Sequence, residues 1–377
     1  MGAIKVFLLT ALVFSILIFV HELGHFIACR IFGVRVNEFA IGMGPKLFSV
    51  KSKRSETVYS LRILPIGGFN NIEDGSEAVV NDDGTETLYT PEASELPPYA
   101  FGAKPVWQRM IIIVAGALMN LLLGIAVMSI VVLRTENYAS TTFSAFFDLN
   151  EYAQLVEEGK GASELPLYDE YNGLRAGDKV IKIGSRRIFT GDELVYNIFE
   201  QGGKAIDFTV LRDGKKLVIK NVDFPTDSKQ GITYGVRNFY VMPEEKNLGN
   251  TLKHAFFGSV NCMVQVFDSL KGMITGKYGI EHISGPIGVG EVIGEAASVG
   301  LDSLLNITVL LSMNLGIFNL LPIPALDGGK LVFLLIEAII KKPLPKKIEE
   351  NATMVGMILL LCLIFLVAFK DVFTLFK

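Results

Sequence analysis

Four long apolar segments constrain this chain more than any other feature of its sequence. A helix needs about 20 predominantly apolar residues to cross the hydrocarbon of a bilayer. Apolar segments that approach or exceed this length cover residues 4–31, 110–133, 304–321 and 354–369. Half of the 377 residues are hydrophobic, and the mean hydropathy is +0.42. The sequence therefore predicts an α-helical multi-pass membrane protein with about four transmembrane helices.

The first apolar segment is not typical of a cleaved signal peptide. A signal peptide has a shorter apolar core, followed by small residues at the cleavage site. Here the apolar sequence continues through His21-Glu22-Leu23-Gly24-His25 towards Ile31. We therefore interpret this segment as the first transmembrane helix.

Charge and cysteine content exclude two classes of site. The formal net charge of −4 does not suggest nucleic acid as a partner, so we expect no nucleic-acid partner. The three cysteines, Cys29, Cys262 and Cys362, are far apart in the chain. They form neither a disulfide framework nor a cysteine-rich zinc motif.

Lysine and arginine near the ends of the spans predict the orientation. The connection between the first two spans carries the sequence KSKR at residues 51–54, and the last connection carries lysines at 341, 342, 346 and 347. With four spans these two connections lie on one side, and basic connections face the cytoplasm. The segment between the second and third spans is then extracytoplasmic, as are both termini.

The outer segment is expected to form one small α+β domain. The sequence NGLRAGDKVIKIGSRRI, residues 172–188, is typical of a strand between two turns. The sequence AIDFTVLRDGKKLVIKNV, residues 205–222, predicts a hairpin whose turn is Asp213-Gly214. An amphipathic helix on the membrane surface is expected at residues 250–275.

The connection after the first span has a β character. Residues 33–60 are rich in β-branched and aromatic side chains, which favours short strands. This region leads to Gly67-Gly68-Phe69, where the glycines allow the backbone to approach another group closely. Residues 71–98 are acidic and rich in turn formers, so we interpret them as a mobile insertion.

The sequence His21-Glu22-Leu23-Gly24-His25 predicts a metal site. Positions i and i+4 share one face of a helix, so both imidazoles can hold one Zn²⁺ at about 2.0–2.1 Å. Glu22 lies about 100° round the helix from His21, where it can act on a water molecule as a general base without binding the metal. A chance match is the alternative. It is disfavoured because a charge at mid-bilayer costs roughly 2.5–3.5 kcal/mol.

Asp327 is the candidate for the third protein ligand that a catalytic zinc usually has. It follows Pro322 and Pro324, which interrupt a regular helix at membrane depth beside an expected cavity. The alternative is that Asp327 only caps the next helix. Glu337 is the rival carboxylate, although the lysines that follow it place it near the cytoplasmic interface.

Four segments together resemble the site-2 protease family, specifically its bacterial branch of PDZ-containing intramembrane zinc metalloproteases of the RseP type. They are HELGH at 21–25, GLRAGDKVIKIGSRRI at 173–188, SGPIGV at 284–289 and NLLPIPALDGG at 319–329. The resemblance covers nearly the whole chain. It implies that His21, His25 and Asp327 bind Zn²⁺ and that Glu22 is the catalytic base.

The resemblance also implies a substrate site and a biological role. Asn319, Pro322 and Pro324 would hold the substrate near the metal, and Gly67, Gly68 and Phe69 would form a membrane-reentrant strand that pairs with an unwound substrate. The expected activity is regulated intramembrane proteolysis in the bacterial cell membrane, with an extracytoplasmic PDZ-like domain as filter or dock. The expected partners are membrane lipid and single-span proteins, such as anti-sigma factors or signal-peptide remnants.

Three features depart from the family pattern. The sequence AGALMN at residues 115–120 lacks the proline that commonly follows AG in this family. There is room for one PDZ-like domain, whereas some members have two. The acidic insertion has no counterpart that we can assign.

These observations predict seven segments along the chain. They are the first transmembrane helix with the zinc motif (1–32), a cytoplasmic loop with the membrane-associated β region (33–107), the second transmembrane helix (108–134), the extracytoplasmic PDZ-like domain (135–245), an amphipathic linker (246–300), the third transmembrane helix with the proline motif (301–340), and the basic connection with the fourth helix (341–377).

Two other functions would also use parts of this pattern. A membrane metal-ion transporter or carrier would place His, Glu and Asp inside the bilayer, but the chain shows no inverted repeat. A non-catalytic PDZ scaffold would need no intramembrane histidine or glutamate. We therefore favour the peptidase.

Overall fold

The computed structural model describes residues 2–75, 77–80, 86–89, 95–160, 164–229, 231–279 and 283–375. Parts of the acidic insertion expected at 71–98 lie outside these ranges. The chain forms two compact units. The helical unit comprises Met1–Val127 and Ile280–Lys377, and the sheet unit comprises Met128–Gly279.

Nine helices occur in the described residues. They are α1 (Ala3–Ile31), α2 (Val106–Arg134), α3 (Leu149–Glu157), α4 (Gly191–Glu200), α5 (Leu248–Ile274), α6 (Pro286–Val299), α7 (Leu301–Asn319), α8 (Asp327–Ile340) and α9 (Lys346–Leu375), with a short 3₁₀ turn at Phe101–Ala103. Helices α1, α2, α7 and α9 are long and apolar enough to cross a membrane. This confirms the prediction of a multi-pass membrane protein.

Small residues bring the helices of the helical unit close together. A Cβ atom added to Gly24 of α1 would lie 2.3 Å from the carbonyl oxygen of Ala115 in α2. One added to Gly294 of α6 would lie 2.9 Å from a methyl group of Val6 in α1. Contacts of this kind let backbones approach and increase dispersion between apolar helices, where lipid gives no hydrophobic drive for association.

The segment expected to be an amphipathic linker at 246–300 contains two different helices. Helix α5 confirms the helix predicted at residues 250–275 and belongs to the sheet unit. Helix α6 belongs to the helical unit, where Ile293 is fully buried with Val13 and Leu17 of α1. The SGPIGV sequence thus begins a packed helix, because Pro286 fits the first helical position.

Fourteen strands occur in the described residues. They are β1 (Val36–Lys51), β2 (Val58–Ile72), β3 (Glu77–Val80), β4 (Glu86–Tyr89), β5 (Tyr138–Phe146), β6 (Glu170–Tyr171), β7 (Leu174–Arg175), β8 (Lys179–Ile183), β9 (Arg186–Arg187), β10 (Ile206–Arg212), β11 (Lys215–Val222), β12 (Thr226–Lys229), β13 (Ile232–Gly235) and β14 (Phe239–Glu244).

The expectation of several short strands at 33–60 was wrong, because β1 and β2 form one long antiparallel hairpin. Gly42, Gly44 and Gly67 have φ of 83°, 85° and 82°, and the pairing register shifts repeatedly along the strands. These bulges interrupt the apolar alternation, so one bent strand looks like several short ones. Large apolar side chains remain exposed on the hairpin, among them Leu47 and Phe48.

The sheet unit is built on an antiparallel sheet with the strand order β11-β10-β8-β5-β14, and β9 pairs with β8. Its core contains the fully buried rings of Phe143, Phe208 and Phe239. The predicted hairpin is confirmed as β10–β11. Its turn residues Asp213 and Gly214 both have positive φ, as a two-residue hairpin turn requires. Whether this α+β unit is a PDZ domain stays a prediction.

Candidate metal centre

Two imidazoles and one carboxylate meet inside the helical unit. His21 and His25 lie one turn apart on α1 and are only 8% and 6% exposed. Their Nε2 atoms are 3.2 Å apart. Oδ2 of Asp327 lies 3.1 Å from Nε2 of His21 and 3.2 Å from Nε2 of His25. The three atoms therefore form a nearly equilateral triangle.

The triangle fits a bound zinc ion. Ligand atoms at roughly 2.0–2.1 Å from a tetrahedral zinc lie about 3.3 Å from one another. Oδ2 of Asp327 is buried and has no hydrogen-bond partner among the described residues, which is costly unless a cation is present. Two imidazoles and a carboxylate are also a donor set of catalytic zinc sites, which keep a fourth position open.

Asp327 reaches the histidines because the chain turns sharply between α7 and α8. The N-cap residue of α8 is Leu326, which makes no side-chain capping bond, and Asp327 is the first residue of the helix itself. The interpretation of Asp327 as only a helix cap is therefore wrong. The rival carboxylate, Glu337, accepts a hydrogen bond from Arg109 at 3.1 Å and is not part of the triangle.

Two glycines after Asp327 make this turn possible. A Cβ atom on Gly328 would lie 2.0 Å from the carbonyl oxygen of Leu321. One on Gly329 would lie 2.5 Å from the carbonyl oxygen of Ile323. Neither distance is compatible with a side chain, so the first turn of α8 packs directly on the proline-containing loop.

Helix α2 orients both imidazoles, a contact that the sequence motifs do not predict. Nδ1 of His25 donates a hydrogen bond to the carbonyl oxygen of Ile112 at 2.8 Å. The amide of Asn120, which is 0% exposed, lies 3.4 Å from Nδ1 of His21. A Cβ atom on Gly116 would lie 2.3 Å from Nε2 of His25, so this glycine makes room for the rings.

The position of Asn120 in the sequence does indicate a functional role. It is a polar residue within an apolar span, where such residues are costly and often functional. Its Oδ1 is buried without a partner among the described residues. Because amide O and N atoms are assigned from their contacts, a rotated Asn120 amide would present Oδ1 to the Nδ1–H of His21.

Glu22 and the glycine-containing strand come together beside the metal centre. Glu22 follows His21 on α1 and is partly buried. A Cβ atom on Gly68 of β2 would lie 3.9 Å from Cγ of Glu22. Strand β2 thus passes next to Glu22, and a side chain at Gly68 would occupy the space between them.

Of the other residues predicted to bind substrate, only Asn319 lies next to a metal-centre histidine in the contacts described below. The amide of Asn319 lies 3.4 Å from Nδ1 of His21. Pro322 and Pro324 lie in the loop between α7 and α8, and a Cβ on Gly356 of α9 would lie 2.4 Å from the carbonyl oxygen of Pro324. The space near Gly67 is occupied by Met43, and Phe69 lies under the guanidinium of Arg62 at 4.7 Å.

Comparisons with known proteins identify the family of this chain. The sequence profile of peptidase family M50 matches residues 9–363. The chain is 35% identical to a candidate zinc metalloprotease of Clostridium perfringens, with 96% of each chain covered. It is 31% identical to the zinc metalloprotease RasP of Geobacillus kaustophilus (96% of each chain), and 29% identical to the regulator of sigma-W protease RasP of Bacillus subtilis (97% of each).

A profile match over almost the whole length, together with relatives above 30% identity that cover both chains, establishes the family. The chain belongs to peptidase family M50.

Proposed function

We propose that this protein is a zinc-dependent endopeptidase that cleaves its substrates within the membrane, with His21, His25 and Asp327 as zinc ligands and Glu22 as general base. The observation that carries this proposal is the triangle of ligand atoms beside Glu22, inside a unit of membrane-spanning helices. Relatives named zinc metalloproteases support zinc as the cofactor.

The residues of the metal centre have different roles in amide hydrolysis. When bound, zinc supplies Lewis acidity that polarises the scissile carbonyl and makes water a stronger acid. Glu22 accepts a proton from the attacking water as the new C–O bond forms, and delivers it to the leaving nitrogen as the C–N bond breaks. The Ile112 carbonyl and the Asn120 amide hold the two imidazoles in the orientation this requires.

A transmembrane substrate must expose its backbone before cleavage, because a helix keeps its amides in intrahelical bonds. We propose that the region of β2 around Gly67, Gly68 and Phe69 captures the unwound segment by strand addition next to Glu22. The position of Gly68 beside Glu22 supports this role. Asn319 and the loop with Pro322 and Pro324 would hold the other side of the substrate.

We further propose that the sheet unit contains an extracytoplasmic PDZ-like domain, at residues 135–245, that screens substrates. The basic connections at 51–54 and 341–347 support this orientation. Single-span membrane proteins, such as anti-sigma factors or signal-peptide remnants, are the proposed substrates. The name of the B. subtilis relative, a regulator of sigma-W, supports the first class. Family membership disfavours the metal-ion carrier.

The first prediction concerns the general base. Replacing Glu22 with Gln keeps the size of the side chain and removes its ability to accept the proton. Cleavage of a single-span reporter should fall by about 10²–10⁴-fold, while zinc content, measured by atomic absorption on the purified protein, stays at the wild-type level. Undiminished cleavage would remove Glu22 from the mechanism.

The second prediction concerns Asp327. Asp327→Asn keeps the size but loses the charge that complements the metal, so zinc content and cleavage should both be lost while the protein remains in the membrane. Glu337→Gln is the matched control, because its partner is Arg109, and it should retain zinc. Full zinc occupancy in Asp327→Asn would show that the third ligand is elsewhere.

The third prediction tests Asn120 as a positioning residue. Asn120→Leu removes one of the two amides that lie 3.4 Å from Nδ1 of His21 and should weaken zinc affinity by about 10–100-fold, measured by competition with a chromogenic chelator. Asn120→Asp keeps an acceptor oxygen and should restore most of that affinity. Equal loss in both variants would mean that Asn120 acts only through helix packing.

The fourth prediction concerns orientation. In a variant whose Cys29, Cys262 and Cys362 are replaced by serine, single cysteines next to Lys51 and Lys346 should react with a membrane-impermeant reagent only after permeabilisation. A cysteine next to Asp213 should react without it. The reverse pattern would place the sheet unit in the cytoplasm and contradict its proposed screening role.

A further inference from the structure

A separate cavity lies at the opposite end of α8 from Asp327, between the last turn of α8 and the first turn of α2. Its volume is about 440 Å³, within the range of roughly 300–1,000 Å³ typical of small-molecule sites. Its walls include Val106, Trp107 and Met110 of α2, together with Ala338, Lys341 and Lys342. It shares no residue with the metal centre.

The cavity has the composition of a membrane–water interface. Val106, Met110 and Ala338 give it an apolar wall, and Trp107 stands beside them with 56% of its surface exposed. Trp107 is held edge-on against Phe32, with 5.5 Å between the ring centroids. Tryptophan is enriched where hydrocarbon meets headgroups, because its ring is apolar and its N–H is polar.

The charge at the mouth of the cavity is positive. Glu337 also lines the cavity, but Arg109 neutralises it, with only 14% and 15% of the two side chains exposed. Lys341 and Lys342 are exposed, and neither makes an ion pair within the described ranges. Lys341 ends α8 with a φ of 57°, a conformation that Gly or Asn adopts more easily.

A simpler explanation accounts for part of this arrangement. Cations near the end of a helix are favoured by the helix dipole, which explains one lysine beyond α8. The orientation rule for basic connections accounts for further lysines near this end of α8. Neither rule accounts for the apolar wall of Val106, Trp107 and Met110 that lines the same cavity as Lys341 and Lys342. A cavity that has an apolar wall and two neighbouring lysines is suited to a ligand that has a hydrocarbon tail and a phosphate.

We propose that this cavity binds an anionic phospholipid of the cytoplasmic leaflet, with its phosphate between Lys341 and Lys342 and the upper part of an acyl chain along Val106, Trp107 and Met110. The leaflet follows from the proposed orientation, and cytoplasmic leaflets carry anionic lipids that basic pockets between helices recognise. A bound lipid would fix the end of α8 relative to α2. The site does not depend on zinc or on the peptidase mechanism.

Trp107 is the only tryptophan of the chain, so its fluorescence reports this cavity directly. The full-length protein is reconstituted into bilayers that contain brominated phosphatidylglycerol in a phosphatidylcholine background, and in a second series the bromine is on phosphatidylcholine. Quenching by the anionic lipid should saturate at a low mole fraction, whereas quenching by phosphatidylcholine should follow bulk composition. Equal curves for the two lipids would overturn the proposal, and this comparison needs no variant.

The lysines are tested by the double substitution Lys341→Asn and Lys342→Gln, in which Asn tolerates the left-handed backbone of position 341. Each lysine near an anionic surface favours binding of an anionic lipid over a zwitterionic one by about fivefold. Loss of both lysines should therefore lower the preference for phosphatidylglycerol over phosphatidylcholine by about 25-fold. Lys347→Gln is the matched control, since Lys347 is exposed in the same connection but does not line the cavity, and it should behave like wild type.

A final experiment distinguishes binding of the lipid from binding of free phosphate. Inorganic phosphate, added at the same ionic strength as a chloride control, should leave the quenching by phosphatidylglycerol unchanged. Specific relief of quenching would show that the lysine pair binds soluble phosphate and would overturn the lipid assignment. Unchanged selectivity in the double variant would likewise show that the lysines do not recognise the headgroup.

Discussion

The close approach of Asp327 to two imidazoles of α1 is the constraint on which the arrangement of the helical unit depends. Buried polar groups in an apolar environment are tolerated only when partners or a cation compensate them. The three groups lie on α1 and α8, near opposite ends of the chain, so these two helices must reach one place. The glycines at helix contacts follow from this requirement. Gly24 and Gly116 bring α2 against the histidines, and Gly328 folds α8 back on its loop.

Sequence patterns predicted those parts of the structure that depend on local spacing. The four spans follow from apolar length, the β10–β11 hairpin follows from the Asp213-Gly214 turn, and the pairing of His21 with His25 follows from the helical period. Asp327 could be proposed because a carboxylate beside two prolines in an apolar region needs an explanation. The sequence could not show that the Asp327 carboxylate faces the two histidines rather than the N-terminus of α8, because those contacts join residues about 300 positions apart.

Features set by contacts between distant residues could not be predicted in the same way. The carbonyl of Ile112 has no signature in the sequence, yet it holds the ring of His25. The long β1–β2 hairpin was obscured because glycine bulges break its alternation. Helix α6 lies in the segment that was predicted to be an amphipathic linker, and its small residues Gly290 and Gly294 pack against α1, a long-range contact that has no local pattern.

Helix α2 links the metal centre to the end of the helical unit at which α2 begins. Its middle holds the imidazoles through Ile112 and Asn120, and its first turn holds α8 through the ion pair of Arg109 with Glu337. On α8, Glu337 and Asp327 are separated by about 15 Å along the helix axis. Removing either partner of a largely buried ion pair leaves an uncompensated charge. Helix α8 is thus held at both ends, by the glycine turn at its start and by the α2 contact near its end, and only the first of these adjoins the ligand triangle. A ligand seated between α2 and the end of α8 would act on the same short helix that carries Asp327.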